Sequence, residues 1–353
     1  MTGRKSIPDI MKAPHPLVLA GDVGGTKTDL AVFSAAGGLR APVAQATFKS
    51  RDYPGLEAVV RAFLDRIDTG IDRAAFGVAG PVANGEARVT NLPWVIDEAE
   101  LADRLGLGSV TLINDLQAVA AAVPFLEAGD LHTLNEGQAA AGGAIAVIAP
   151  GTGLGEAYLV WDGRRYRAYP SEGGHADFAP ADEQQAGLLS FLRRRFGHVS
   201  CERVCSGIGL PNIYAFLKQS RVAEEPAWLS EELAAAADPT PVIVAAALDA
   251  EQPCDLCRAA LDLFVSILGG EAGNLALKVM AAGGVYIGGG IPSRIPRVLQ
   301  EPRFMQAFRN KGRMSGLMDS FPVRVILNPK AALLGAAVQA MRLAPQSRGG
   351  ENG

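Results

Sequence analysis

The chain has 353 residues, a formal net charge of −4 at pH 7 and 48% hydrophobic side chains. That is ample apolar material for real cores, and about 150 residues per domain suggests two of them. The acidic balance argues against a nucleic-acid or anionic-membrane surface, and four cysteines form no disulfide framework and fit a reducing cytosol.

In chain order, a short polar lead without the apolar stretch of a signal peptide gives way to an apolar run at 17–20. It stops at the turn "GDVGGTKT" and resumes as the strand "DLAVFS". Helical spacing covers 54–69 and 97–105, with a strand at 75–78 between them. "VTLIND" at 110–115 is another strand, followed by the Ala/Leu helix "LQAVAAAVPFL". The strand "AIAVIA" at 144–149, a second turn "PGTGLG" and a strand "AYLVW" come next. The uncharged run 137–155 that contains them holds six glycines and Pro150, so it is strand and turn and not a membrane span. From about 184 to 280 the pattern is mostly helical. "GGVYIGGG" is a late strand, "VRVIL" at 323–327 a further one, and 331–342 a closing helix, with a disordered tail expected from 347. Strands alternating with helices indicate an α/β protein.

Glycine is the compositional anomaly. There are 41 in the chain, roughly 16 more than an average usage of about 7% supplies. They follow no collagen period and sit between apolar runs, not in Ser-rich linkers, so they need a backbone reason. A weak internal repeat offers one. "LVLAGDVGGTKTDLAVF" and "IAVIAPGTGLGEAYLV" are both strand, Gly/Thr turn, strand. Such hairpin tips aim backbone N–H groups into a concavity that suits anions, and two similar halves could grip one polyphosphate. Rival readings remain at this level. A Rossmann turn or a P-loop would each lead into a helix, whereas strand follows both turns and Thr26, not Gly, precedes Lys27. Two ordinary tight hairpins are the plain alternative.

Six blocks in a fixed order carry a resemblance: "TNLPW", "LINDLQAVA", "PGTGLG", "EGGHADFAP", "ERVCSGIGL" and "GGVYIGGGI". Together with "GDVGGTKT" they resemble the bacterial glucokinases of the branch without the Cys-rich zinc motif, over about 15–343. The resemblance implies two ribonuclease-H-like (actin-like ATPase) α/β domains with an interdomain active-site cleft. The smaller would hold 14–122 plus 330–345 and the larger 123–329. It also implies ATP-dependent phosphorylation of the 6-hydroxyl of D-glucose with Mg²⁺, in a cytoplasmic homodimer that has no nucleic-acid or membrane partner.

The residues can be assigned roles on that basis. Phosphoryl transfer asks mainly for positioning and charge stabilisation, plus a carboxylate to take the hydroxyl proton. Asp115, at a strand-to-helix junction, could be that base or simply an N-cap; the resemblance makes it the base. Asp22 could hold Mg²⁺, directly or through water, or only shape its own turn. Thr26, Lys27 and the N–H groups of Gly24, Gly25, Gly151, Thr152 and Gly153 are candidates for the ATP phosphates, and Gly288, Gly289 and Gly290 for adenosine. Glu172 and His175 form E-x-x-H, yet Gly173 and Gly174 between them disfavour the helix a di-iron pair would use. By resemblance they bind sugar hydroxyls together with Asn114, Asp115 and Glu202, and Asn91 is a further sugar contact.

Three features stay open. Glu156, directly after the second turn, would repel phosphates if it faced them, but strand alternation could turn it away. Cys201/Cys205 and Cys254/Cys257 could offer a zinc site, though both pairs fall in helical-looking sequence and read better as buried thiols. A sugar-responsive transcription factor would need more than the roughly 16 residues before the first strand, and a chaperone or filament ATPase would have no use for "IND", "EGGH" and "ERVCSG".

Overall fold

The structure, a computed structural model, describes residues 17–34, 36–65, 67 and 70–343. The expectations for the lead before Leu17 and for the tail from 347 lie outside the described residues. The chain divides into two compact units, one from residues up to Phe125 together with those from Lys330 onward, the other Leu126–Pro329.

The first unit opens with β1 (Leu17–Val23), β2 (Lys27–Ser34), β3 (Ala44–Lys49), α1 (Leu56–Leu64) and β4 (Ile71–Val78). A small antiparallel sheet of β5 (Val82–Ala83), β6 (Glu86–Arg88) and β7 (Val95–Asp97) follows, then α2 (Glu98–Leu105), β8 (Ser109–Asn114) and α3 (Asp115–Ala122). The main sheet runs β3-β2-β1-β4-β8. Its first three strands form an antiparallel meander, while β1, β4 and β8 run parallel. Alternation sends Leu17, Leu19, Leu30 and Val32 to one face, against Val59, Val60 and Phe63 of α1 and Leu101 of α2. Val18, Ala20, Ala31 and Phe33 face the opposite way.

The second unit holds β9 (Leu131–Asn135), β10 (Ile145–Pro150), β11 (Leu154–Trp161) and β12 (Tyr166–Ser171). Helices α4 (Glu183–Arg193), α5 (Gly209–Gln219), α6 (Ala227–Ala235), α7 (Pro239–Leu248) and α8 (Asp255–Val279) come next. Then follow β13 (Gly284–Ile287), α9 (Pro296–Leu299), α10 (Pro302–Arg309), α11 (Ser315–Ser320) and β14 (Val323–Ile326). The sheet order is β12-β11-β10-β13-β14-β9. Apart from the added edge strand β9, this repeats the first unit's plan of an antiparallel meander joined to parallel strands. The repeat seen in sequence is therefore a repeat of topology. Among the described residues α8 alone is long and apolar enough to cross a membrane, but 72% of its apolar window is buried inside the fold. It is the core helix of this unit, packed through Leu261, Phe264 and Leu268.

The chain then returns to the first unit as α12 (Ala331–Arg342), whose Leu333, Ala336, Ala337 and Ala340 cover the face of Val18, Ala20 and Ala31. The approach is close because Gly335 has no side chain: a Cβ there would collide with the carbonyl oxygen of Ala118 on α3.

One local expectation fails. Cys201 and Cys205 do not lie in an α-helix; Cys201 starts a single 3₁₀ turn, Cys201–Arg203. The backbone beyond it is drawn into bonds with the second glycine turn, from Gly207 N–H to the Gly151 carbonyl at 2.7 Å and from Ile208 N–H to that of Thr152 at 3.2 Å. A continuous helix would use those donors internally. All four cysteines are buried, and Cys254 is the N-cap of α8.

Candidate active site

In the first unit the candidate residues gather at the carboxyl ends of the parallel strands β1, β4 and β8, the end at which open α/β sheets place ligands. Asp22 is the penultimate residue of β1, level with Gly77 on β4 and Asp29 on β2. Gly77 is small for a reason: a Cβ there would meet Ala118 Cβ at 2.9 Å and Asp115 Cα at 3.7 Å, so α3 starts directly over the sheet. Asp115 is the first residue of α3, not its N-cap. The cap is Asn114, whose Oδ1 accepts from the N–H groups of Leu116 at 3.0 Å and Gln117 at 3.2 Å. Asn114 Nδ2 donates to the Gly80 carbonyl at 3.2 Å, so this amide is also a structural brace. Asp115 Oδ1 accepts from Leu116 N–H at 2.8 Å.

Asp22 is pushed up to about 6, first by burial and then by the negative charges of Asp115 and Asp29. Among the described residues Lys27 is the cation that opposes them, and that ammonium sits on Asp29 at 2.8 Å while 63% exposed. Among the described residues no group of three or more His, Cys, Asp or Glu side chains is arranged to hold a metal, so Asp22 would meet Mg²⁺ as the single carboxylate of a site completed by phosphates and waters.

The first hairpin tip is braced from below. Gly24 N–H bonds to the Lys27 carbonyl at 3.0 Å, so the tip itself uses that amide, in contrast to its expected role as a phosphate donor. Gly25 and Thr26 carry the remaining amides of the tip. Ser50 Oγ donates to the Gly24 carbonyl at 2.7 Å, a support from 26 positions away that no local pattern announces. Gly25 is forced by packing, because a Cβ would stand 2.7 Å from the Thr90 carbonyl oxygen and 3.5 Å from Asn91 Cβ. The loop carrying Asn91, whose φ is +64°, thus abuts the turn.

The second unit builds a parallel arrangement. Gly151 N–H closes the hairpin onto the Gly153 carbonyl at 2.9 Å, which again removes one expected phosphate donor and leaves the tip amides of Thr152 and Gly153. Glu202 reaches this tip, its Oε2 accepting from Leu154 N–H at 3.0 Å and lying where a Gly153 Cβ would be. Glu172 and His175 stand 3.8 Å apart and exposed, joined by the 3₁₀ turn Gly173–His175. The two glycines between them are required because Cβ atoms would collide with Glu156 Oε2 and with the Leu154 carbonyl oxygen. Gly289, at φ +93°, is pressed against the Pro150 carbonyl in the same way, while Gly290 faces open space and Gly288 N–H bonds to Ile148 at 2.8 Å. The strand "GVYI", its glycines and the second hairpin are therefore one construction. Missing from the sequence reading was Thr240 of α7, whose Oγ1 donates to the Gly207 carbonyl at 2.5 Å behind this tip.

A family model described as Glucokinase matches residues 19–343. The chain belongs to the glucokinase family. A glucokinase from Nostoc punctiforme is 41% identical over 342 residues, covering 93% of this chain and 99% of that protein. The crystal structure of a glucokinase from an Antarctic psychrotroph superimposes with a TM-score of 0.78 at 33% identity, covering 93% of this chain and 99% of that one. A glucokinase of the ROK family from Streptomyces griseus, solved with glucose and AMPPNP, shares the fold at TM-score 0.60 and 20% identity, over 93% of this chain and all of that one. The chain thus has the two-domain, actin-like ATPase architecture of glucokinase-family sugar kinases.

Proposed function

We infer that this protein catalyses the ATP-dependent phosphorylation of D-glucose at its 6-hydroxyl, the entry step of glycolysis. The family match over 19–343 carries the reading, and the chemistry at the strand ends supports it. Asp115 accepts the 6-hydroxyl proton as that oxygen attacks the γ-phosphorus in line. Its setting, at the first position of a helix with the Leu116 amide as donor, holds the carboxyl group in place for that step. The tip amides of Gly25, Thr26, Thr152 and Gly153 bind phosphate oxygens, and Gly289 and Gly290 offer bare backbone to the nucleoside. Asp22 would hold Mg²⁺, which supplies charge neutralisation on the phosphates when bound. Asn91, Asn114, Glu172, His175 and Glu202 pair with sugar hydroxyls, so a hexose that lacks one of them leaves a polar group unpartnered. The same reading makes the enzyme a cytoplasmic homodimer, in keeping with its acidic charge and unpaired buried cysteines.

A coupled assay on the purified protein with a panel of hexoses and donors tests this directly. Glucose with ATP and Mg²⁺ is expected to give the highest kcat/KM. A higher value for another hexose, or no sugar-dependent ADP at all, would sink the assignment. Asp115→Asn is expected to cost about 10²- to 10⁴-fold in kcat with glucose binding retained.

A further inference from the structure

Glu156 follows the second hairpin tip, yet it does not face phosphate. It is 2% exposed, turned from the tip into the second unit, where it lies beside Glu271 of α8, itself 6% exposed. Two buried carboxyl groups in one place need an account of every oxygen. Glu271 Oε2 accepts from the Cys201 thiol at 3.4 Å and from Asn274 Nδ2 at 2.8 Å. Glu271 Oε1 has only the Lys278 ammonium at 3.7 Å, too far for a hydrogen bond, and Glu156 Oε1 has no donor at all. Glu156 Oε2 lies against Gly173. Of the other cations lining this pocket, Lys311 is committed to the Gly270 carbonyl at 2.9 Å and Asn274 Oδ1 at 2.7 Å, Arg303 to Asp262 at 3.3 Å and Arg309 to Asp319 at 2.6 Å. One negative charge is thus matched by Lys278, a second is not, and two oxygens lack a donor. One proton resolves both counts.

Around this pair lie the segments assigned to the sugar. Glu156 is level with Ser171 on β12, and the Glu172–Gly173–Gly174–His175 turn rests on Glu156 and Leu154. Cys201, bonded to Glu271, immediately precedes Glu202. We propose that Glu156 is a positioning residue for glucose phosphorylation: it keeps a proton, donates it to Glu271, and this carboxyl–carboxylate bond sets the spacing between the Glu172–His175 turn and Glu202. The proposal rests on the sugar-binding reading of those three side chains.

Burial, and next the charge of Glu271, push Glu156 up to about 7, against which Lys278 pulls down. The thiols of Cys201 and Cys205 beside the pair are driven upward by burial and stay neutral. Loss of the proton as pH rises through 7 then places two like charges together beneath the sugar turn.

The test is the pH dependence of the glucose KM from pH 6 to 9 for wild type, Glu156→Gln and Glu156→Ala. In wild type KM should climb above pH 7, approaching about tenfold per pH unit as the proton is lost. Glu156→Gln keeps a permanent donor to Glu271, so its KM should match wild type at pH 6 and stay flat, with kcat following the wild-type course. Glu156→Ala should show a raised KM at every pH. In the infrared spectrum at pH 6, the carbonyl stretch of protonated carboxylic acid should be stronger in wild type than in Glu156→Gln, Asp22 contributing equally to both. Superimposable KM profiles for wild type and Glu156→Gln would overturn the proposal, as would a Glu156→Gln chain that no longer folds, since the amide preserves the bond. A wild-type protein without glucose turnover would instead refute the functional reading, while the infrared band would still report on the proton.

Discussion

Glu202 Oε2 accepts a hydrogen bond from the N–H of Leu154 at 3.0 Å, joining a proposed sugar ligand to the residue that closes the second phosphate hairpin. The same oxygen fills the space where a side chain on Gly153 would begin. A change on the phosphate side should therefore be felt by the sugar. Gly153→Ala must displace the Glu202 carboxylate, and glucose KM is expected to rise about tenfold or more, the cost of one disturbed charge-assisted hydrogen bond. Isothermal calorimetry with glucose alone, without nucleotide, checks it; an unchanged glucose affinity would mean that Glu202 acts only as a brace.

Asp22 gives a stability prediction with a definite sign. Its folded-state value of about 6 lies above the ordinary 3.8, so the native state holds a proton that the unfolded chain gives up. The stability this proton confers is complete below pH 4 and is lost as pH rises to 6, amounting to at most about 3 kcal/mol. Asp22→Asn should remove that slope, raising Tm at pH 7 while lowering turnover. Millimolar Mg²⁺ with ADP should raise the Tm of wild type more than that of the variant. Thermal melts at pH 4, 5, 6 and 7 decide the point, and parallel slopes for the two proteins would refute it.

Lys27 is expected to matter little. Its ammonium is 63% exposed and bonded to Asp29 two residues along the same strand, an arrangement generally worth no more than about 1 kcal/mol. Lys27→Met should raise the ATP KM by less than about fivefold, a bound that follows from the same 1 kcal/mol. A loss of a hundredfold in kcat/KM for ATP would show that the lysine leaves Asp29 for phosphate during turnover.

Gly335→Ala tests the packing of the first unit. The new methyl would enter the Ala118 carbonyl, which is backbone and has no rotamer to yield. A loss of about 1–3 kcal/mol or more is expected, measured by urea denaturation. Because Ala118 lies one turn beyond Asp115 on α3, kcat should fall as well if the helix shifts.

Much of this was legible in the sequence because the signals were local. The two hairpins declared themselves by Gly/Thr tips between apolar runs, and the strand-to-helix junction at Asn114 and Asp115 by an abrupt change of period. What sequence could not supply was pairing across distance. The edge strands β3, β9 and β12 have too few buried positions to stand out from loops. Ser50 supports Gly24 from 26 residues away, and Thr240 supports Gly207 from 33. Glu156 looked out of place next to a phosphate turn, because its partner, Glu271, lies on a helix 115 positions further on. In the sequence Gly173 and Gly174 only argue against a helix between Glu172 and His175; their tighter constraint is the pair of β11 atoms that occupy the place of their side chains.

The return of α12 to the first unit bears on how the protein is made. The sheet face of Val18, Ala20, Ala31 and Phe33 waits for the small-residue stripe of a helix encoded after Pro329. On a ribosome adding about 5–20 residues per second, some 200 residues of the second unit must be translated first, leaving that apolar face bare for roughly 10–40 s. The second unit, contiguous in the chain, can complete its own core during the wait. The nascent chain thus keeps an aggregation-prone face until it is almost finished, and truncation just before α12 should yield a chain that chaperones hold and do not release.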